Sequence, residues 1–102
     1  MKNTTEASFQ ADVLDSPIPV LVDFYADWCH PCKAMVPVLE AISAKFEGRV
    51  TVVKVDIDAN PEIGIKFGVR GLPTLMLFEN GKVKAMRAGA APEADVEALL
   101  AK

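Results

Sequence analysis

The stretch that most restricts the fold is Val20-Leu21-Val22-Asp23-Phe24-Tyr25, together with the turn and helix that it leads into. Both alternating sets of positions are apolar apart from Asp23, the pattern of a strand buried on both faces in the middle of a sheet. After a turn at Ala26-Asp27-Trp28, a helical pattern runs from Lys33 to Phe46. Met35, Val38, Leu39, Ile42 and Phe46 form its apolar stripe, and Gly48 suits its stop. Pro37 lies inside this pattern and is expected to kink the helix rather than end it. Val50 to Ile57 is the next strand. Strand, long helix and strand make a right-handed parallel βαβ unit, and the chain is of the α/β class.

The flanks extend this unit. Thr5 with Glu6-Ala7-Ser8 has the form of a helix cap, followed by an apolar stripe of Phe9, Val13 and Leu14 that should end before Ser16-Pro17-Ile18-Pro19. Any earlier strand must come from Met1 to Thr4, a poor strand sequence, and is expected to be short or frayed. Asn60-Pro61 opens a helix containing Ile63, Ile65 and Phe67, with Gly68 as terminator. Leu75 to Phe78 and Lys82 to Ala88 read as strands joined by an Asn80-Gly81 type I′ turn, so the sheet is mixed. Pro92 to Ala101 is an amphipathic last helix carrying Val96, Leu99 and Leu100. Local preference makes the bond before Pro73 trans, since only about 5–6% of X–Pro bonds in folded proteins are cis.

Both cysteines of the chain fall in Trp28-Cys29-His30-Pro31-Cys32, at the turn from the central strand into the long helix. A ring closed over so few residues removes little entropy from the unfolded chain, which makes the pair a poor staple and a good redox couple. At a helix N-terminus, free backbone N–H groups and the macrodipole favour a thiolate. Pro31 suits a first helical turn. Cys29 is therefore the candidate nucleophile, expected to be exposed, and Cys32, one turn further in, the candidate resolving thiol. The competing use of such a pair is zinc. Structural zinc takes four protein ligands, whereas this chain offers two Cys and one His, the latter wedged between them, so no metal is expected.

Asp23 is the other informative residue. A carboxylate in a buried strand is costly unless paired and responds by a raised pKa. Near Cys32, such an acid could take and return the proton of the buried thiol; the plainer alternative is an Asp bonded to nearby backbone or to Lys54, which interrupts the next apolar strand. Lys33 could add positive charge near the thiolate or simply be solvated. Trp28 could be core, or a shield and docking face beside the thiol.

At 102 residues, with 51% hydrophobic and 25% charged residues, the chain is sized and composed as one soluble domain. A net charge of −3 without a basic cluster points to neither nucleic acid nor an anionic membrane as partner. Met1 to Glu6 lacks the apolar region of a signal peptide, and no run approaches a membrane span. The expected location is the cytoplasm, where a CxxC is catalytic rather than structural.

The element order βαβαββα, preceded by a weak βα, the Val20-to-Cys32 stretch with its Asp, Gly71-Leu72-Pro73-Thr74, Asn80-Gly81 and Gly89 together resemble the thioredoxin family over nearly the whole chain. That resemblance implies a thioredoxin fold in a single domain over 1–102: a central mixed four- to five-stranded sheet flanked by helices on both faces. It implies that Cys29 attacks substrate disulfides, that Cys32 resolves the mixed disulfide, and that Asp23 assists, with Lys54 close by. It makes Pro73 cis, against the local preference. Backbone around Leu72, flanked by Gly71 and Thr74, would pair with an extended substrate segment, and Trp28, Pro31, Leu72, Gly89 and Ala90 would form an apolar docking surface. The family needs no bound cofactor beyond its own disulfide, here Cys29–Cys32, and is reduced by NADPH through thioredoxin reductase. The partners implied are that reductase and disulfide-containing proteins, met by a monomer.

His30 departs from the family, which usually has Gly there. An imidazolium beside Cys29 would stabilise its thiolate and make the protein more oxidising, an oxidase or isomerase rather than a reductant. One interaction of about 1 kcal/mol converts to only about 20 mV for a two-electron couple, and the alternative is a solvent-facing His30 of small effect. A reading from another class is a non-catalytic binding subunit of a larger assembly, using the surface beside Trp28 and Pro73.

Overall fold

Alternation along β2 (Val20–Tyr25) divides the interior into two layers. Val20, Val22 and Phe24 enter one apolar cluster and Leu21 enters the other. The computed structural model describes residues 1–102, and in it β2 is the middle strand of a mixed five-stranded sheet ordered β1-β3-β2-β4-β5. The other strands are β1 (Lys2–Asn3), β3 (Thr51–Asp56), β4 (Thr74–Glu79) and β5 (Lys82–Ala88). β1 and β2 run parallel to β3, whereas β4 is antiparallel to both β2 and β5.

Helices cover both faces. α1 (His30–Lys45) and α3 (Glu93–Leu100) lay Met35, Leu39, Ile42, Val96 and Leu99 against Leu21, Val52 and Leu75. On the opposite face, a π-helical segment (Gln10–Leu14) and α2 (Pro61–Lys66) bring Val13 and Ile63 to a floor of Val22, Phe24, Val53, Val55, Met76 and Phe78. Phe67 is the hub of this side, with ring centroids 5.4 Å from Phe9 and 5.2 Å from Phe78.

Two local details differ from expectation, the winding after Phe9 and the isomer before Pro73. The stripe of Phe9 and Val13 is buried as its spacing suggests, but it is not an ordinary α-helix: the Asp15 N–H bonds Gln10 O at 2.8 Å, an i→i+5 closure that winds the segment wider than the 3.6-residue period. Its entry is a reciprocal pair, Ser8 N–H to Thr5 Oγ1 and Thr5 N–H to Ser8 Oγ. α1 begins at His30 with Cys29 as an extended N-cap and Pro31 in its first turn, as their sequence positions suggest, and Pro37 does not end it. The Leu72–Pro73 bond is cis, so the local trans preference is overturned and the isomer implied by the resemblance is the one present. β1 is as short as Met1–Thr4 implied, pairing only Lys2 and Asn3 with Val53 and Lys54.

Asn80 and Gly81, with φ of 55° and 77°, make the turn between β4 and β5 that their sequence announces. A Cβ on Gly81 would also meet the carbonyl oxygen of Leu14 at 3.2 Å. Gly81→Ala should therefore lower the unfolding free energy by roughly 1–2 kcal/mol; an unchanged urea midpoint would show that the turn tolerates a side chain.

Candidate active site

The turn from β2 into α1 is closed by the Cys29 N–H bonding Ala26 O at 3.1 Å. Cys29 caps α1 with its own sulfur: Sγ accepts the Cys32 N–H at 3.2 Å, one of the donors that a helix N-terminus leaves unpaired. Cys29 and Cys32 are joined as a disulfide, with Cα atoms 5.3 Å apart. Here one expectation is corrected. Cys29 is not exposed in this oxidised form but 4% accessible, hardly more than Cys32 at 3%. The bond to Cys32 and the N-cap contact together draw its sulfur over the first turn of α1. The exposed groups at this end are its neighbours, Trp28 at 65%, His30 and Pro31.

Behind the disulfide lies Asp23, 1% accessible. It stands opposite Lys54 on β3 and opposite Leu75 on β4. Its Oδ1 has no hydrogen-bond partner, and no ion pair joins it to Lys54, so the plain structural alternative is absent. Burial pushes its pKa up to about 7, against the pull of the Lys54 ammonium. Asp23, Cys32, Lys33 and Lys54 line one cavity of about 140 Å³, together with Tyr25 and Asp27. It is roomy enough for water, and the charged side chains on its wall can bond it. The structure thus brings Asp23, Lys54 and Cys32 to one place, as their sequence positions suggested.

Loop 70–73 and the loop after β5 are bonded to each other, and the latter also to α1. Pro73 and Thr74 are buried, and the Thr74 hydroxyl donates to Gly71 O at 2.6 Å, so it shapes the loop. The Gly89 N–H donates to Pro73 O at 2.7 Å, with Gly89 at φ 89°. The Ala91 N–H reaches the Met35 thioether at 3.3 Å and ties this loop to α1. Leu72 is half-buried, while Gly71 and Ala90 are exposed. Two residues of the site escaped the sequence. Asp58 accepts the Trp28 indole N–H at 2.8 Å across thirty positions of chain, and no local pattern announces it. Tyr25 lies two residues beyond Asp23, on the same face of β2, and that periodicity could have found it.

The family model described as Thioredoxin matches residues 1–102. Thioredoxin C-2 of Corynebacterium nephridii is 48% identical over 98 residues, covering 96% of this chain and 91% of that protein. The thioredoxin of Pseudomonas aeruginosa is 47% identical over the same length, with 96% and 91% covered. That of Rickettsia bellii is 51% identical over 87 residues, 85% of this chain and 83% of that one. No helix is long and apolar enough to cross a membrane.

Native Asp23 keeps its proton up to about pH 7, while the carboxyl of the unfolded chain releases it near 3.8. The proton is therefore bound more tightly in the folded state. Below the unfolded value the ionisation of this residue has no effect on stability; its contribution falls as pH rises between the two values and stays at its lowest above about 7. The full penalty is on the order of 4 kcal/mol. Urea titrations of the wild type and Asp23→Asn should show the variant gaining on the wild type by that order between pH 4 and pH 8. A difference that stays flat with pH would remove the buried acid from this description.

Proposed function

The chain belongs to the thioredoxin family and is a dithiol–disulfide oxidoreductase, and on that premise we propose that it reduces the disulfides of other proteins in the cytoplasm as a single-domain monomer. One observation supports the assignment of roles above the others: an unpaired buried carboxyl shares a small cavity with the inner sulfur of a disulfide that caps a helix.

In the reduced protein, Cys29 attacks one sulfur of a substrate disulfide. The substrate S–S bond breaks, a Cys29–substrate disulfide forms, and the first substrate thiolate leaves and is protonated. The Cys32 N–H that now points at Cys29 Sγ would bond a thiolate more strongly than a thiol, and the helix N-terminus adds to that preference. Asp23 then accepts the Cys32 proton through water in the cavity. The Cys32 thiolate attacks Cys29 Sγ, the second substrate thiolate departs and takes up the proton held by Asp23, and the Cys29–Cys32 disulfide is restored. Two electrons have passed to the substrate. Lys54 stabilises the carboxylate form of Asp23 during this exchange. No bound cofactor takes part; reducing equivalents come from NADPH through thioredoxin reductase.

Trp28, Pro31, Leu72, Gly89 and Ala90 offer the apolar surface on which a substrate segment docks. Backbone at Gly71 and Leu72 is accessible to pair with it, and Pro73 and Thr74 hold that backbone in shape. His30 stands exposed and modulates rather than redirects the chemistry. An oxidase or isomerase and a non-catalytic binding subunit are not favoured, since the redox pair is intact and the matching proteins are thioredoxins.

With NADPH and a thioredoxin reductase, the wild type should turn over insulin disulfides, Cys29→Ser should not, and Cys32→Ser should accumulate the mixed disulfide. Asp23→Asn should slow release of the second substrate thiol by roughly tenfold or more. Absence of turnover by folded wild type would refute the reductase reading. The reduction potential of His30→Gly should lie within about 20 mV of the wild type; a far larger fall would restore the oxidase.

A further inference from the structure

Lys54 is a half-buried cation with no carboxylate partner. Its Nζ lies 5.2 Å from the ring centroid of Tyr25, within cation–π range. The tyrosine is itself held: its hydroxyl donates to Asn3 Oδ1 at 3.1 Å. Asn3, Lys54 and Asp23 occupy one row across β1, β3 and β2, so their side chains share a face of the sheet, and Tyr25, two residues on from Asp23, lies on that face as well.

We propose that Tyr25 is a positioning residue for the proton relay: its ring holds the Lys54 ammonium at the wall of the Asp23 cavity, and through that cation it sets how readily Asp23 releases and retakes a proton. The inference rests on the relay role given to Asp23 above. A lysine paired with a carboxylate would spend its charge there, whereas one resting on a π face keeps it available to Asp23. The remaining groups around Asp23 do not replace this arrangement. β4 presents apolar Leu75. The β2–α1 turn presents Asp27, whose charge opposes a second carboxylate, and α1 presents Cys32 and the exposed Lys33. Asp56, at the end of β3, acts on the Tyr25 phenol. Burial first, then Asp56, Asp27 and Asp23, raise the phenol's pKa, so the ring stays neutral where Asp23 titrates.

The test tracks the Asp23 carboxyl carbon by NMR through its titration in the oxidised protein, alongside the pH profile of insulin reduction. Tyr25→Leu should raise the Asp23 midpoint by about half a pH unit, the size of one exposed cation–π contact. Tyr25→Val, which suits a strand end, should do the same, and Tyr25→Phe should leave it in place. Lys54→Met should raise the midpoint, and adding Tyr25→Leu to it should change nothing further. An unchanged or lowered midpoint in both Tyr25→Leu and Tyr25→Val overturns the inference, as does an equal shift on the Lys54→Met background, which would mean that residue 25 acts by packing alone. A midpoint that shifts while the reduction profile does not would overturn the relay and leave the hold of Tyr25 on Lys54 standing.

Discussion

The arrangement turns on a carboxyl that is not allowed a partner. Asp23 sits in the middle strand of the sheet with an oxygen that bonds nothing, one strand away from a cation that does not close onto it. Had Lys54 formed an ion pair with it, the attraction of opposite charge would have held its pKa in the ordinary carboxylate range or below. Such an acid stays ionised at neutral pH and cannot return a proton. Burial without a pair brings its pKa to about 7 instead, nearer to that of a thiol. The cavity makes this usable, because proton exchange needs a path of water and not only matched affinities.

The disulfide end is set by how α1 begins. Cys29 supplies the extended N-cap, so one residue both starts the helix and carries the outer sulfur, and Cys32 falls at the third helical position facing back to it. The loop before β4 and the loop after β5 are secured by their own backbone. Gly89 bonds to Pro73, Ala91 bonds to Met35 on α1, and Thr74 uses its hydroxyl inside the loop. Gly71 and Ala90 are left exposed there, with Leu72 half-buried between them and the interior.

Much of this was legible in the chain. The doubly apolar run of Val20–Tyr25, its single Asp and the CxxC beyond it carried the central strand, the βαβ unit and the redox pair. Local pattern also carried the Asn80-Gly81 turn, because φ above zero at both positions narrows the choice of residues. What escaped depends on pairing between distant segments. The sequence offers Lys54 as a neighbour of Asp23, but that Asn3 joins their row is a matter of strand register. The Trp28–Asp58 bond joins two loops, and the burial of Cys29 belongs to the oxidised pair rather than to its place in the sequence. The wide winding at Gln10–Leu14 leaves no mark in the apolar spacing, because residues four apart such as Phe9 and Val13 share a face at either pitch.

A polar seam beside the middle strand survives because the two faces of the sheet carry different duties. On the α1 and α3 face, Asp23, Lys54 and Tyr25 interrupt the apolar packing, and the ionised acid costs on the order of 4 kcal/mol at neutral pH. The other face buries the Thr74 hydroxyl but no charged side chain. Phe9, Phe24 and Phe78 are buried there around Phe67, and each buried ring is worth about 2 kcal/mol of transfer free energy before packing is counted. The acid is tolerated because an apolar cluster packs the sheet on either face. Substitutions that leave both clusters intact can therefore retune the Asp23 proton, whereas those among the phenylalanines weaken the fold while touching no reacting atom.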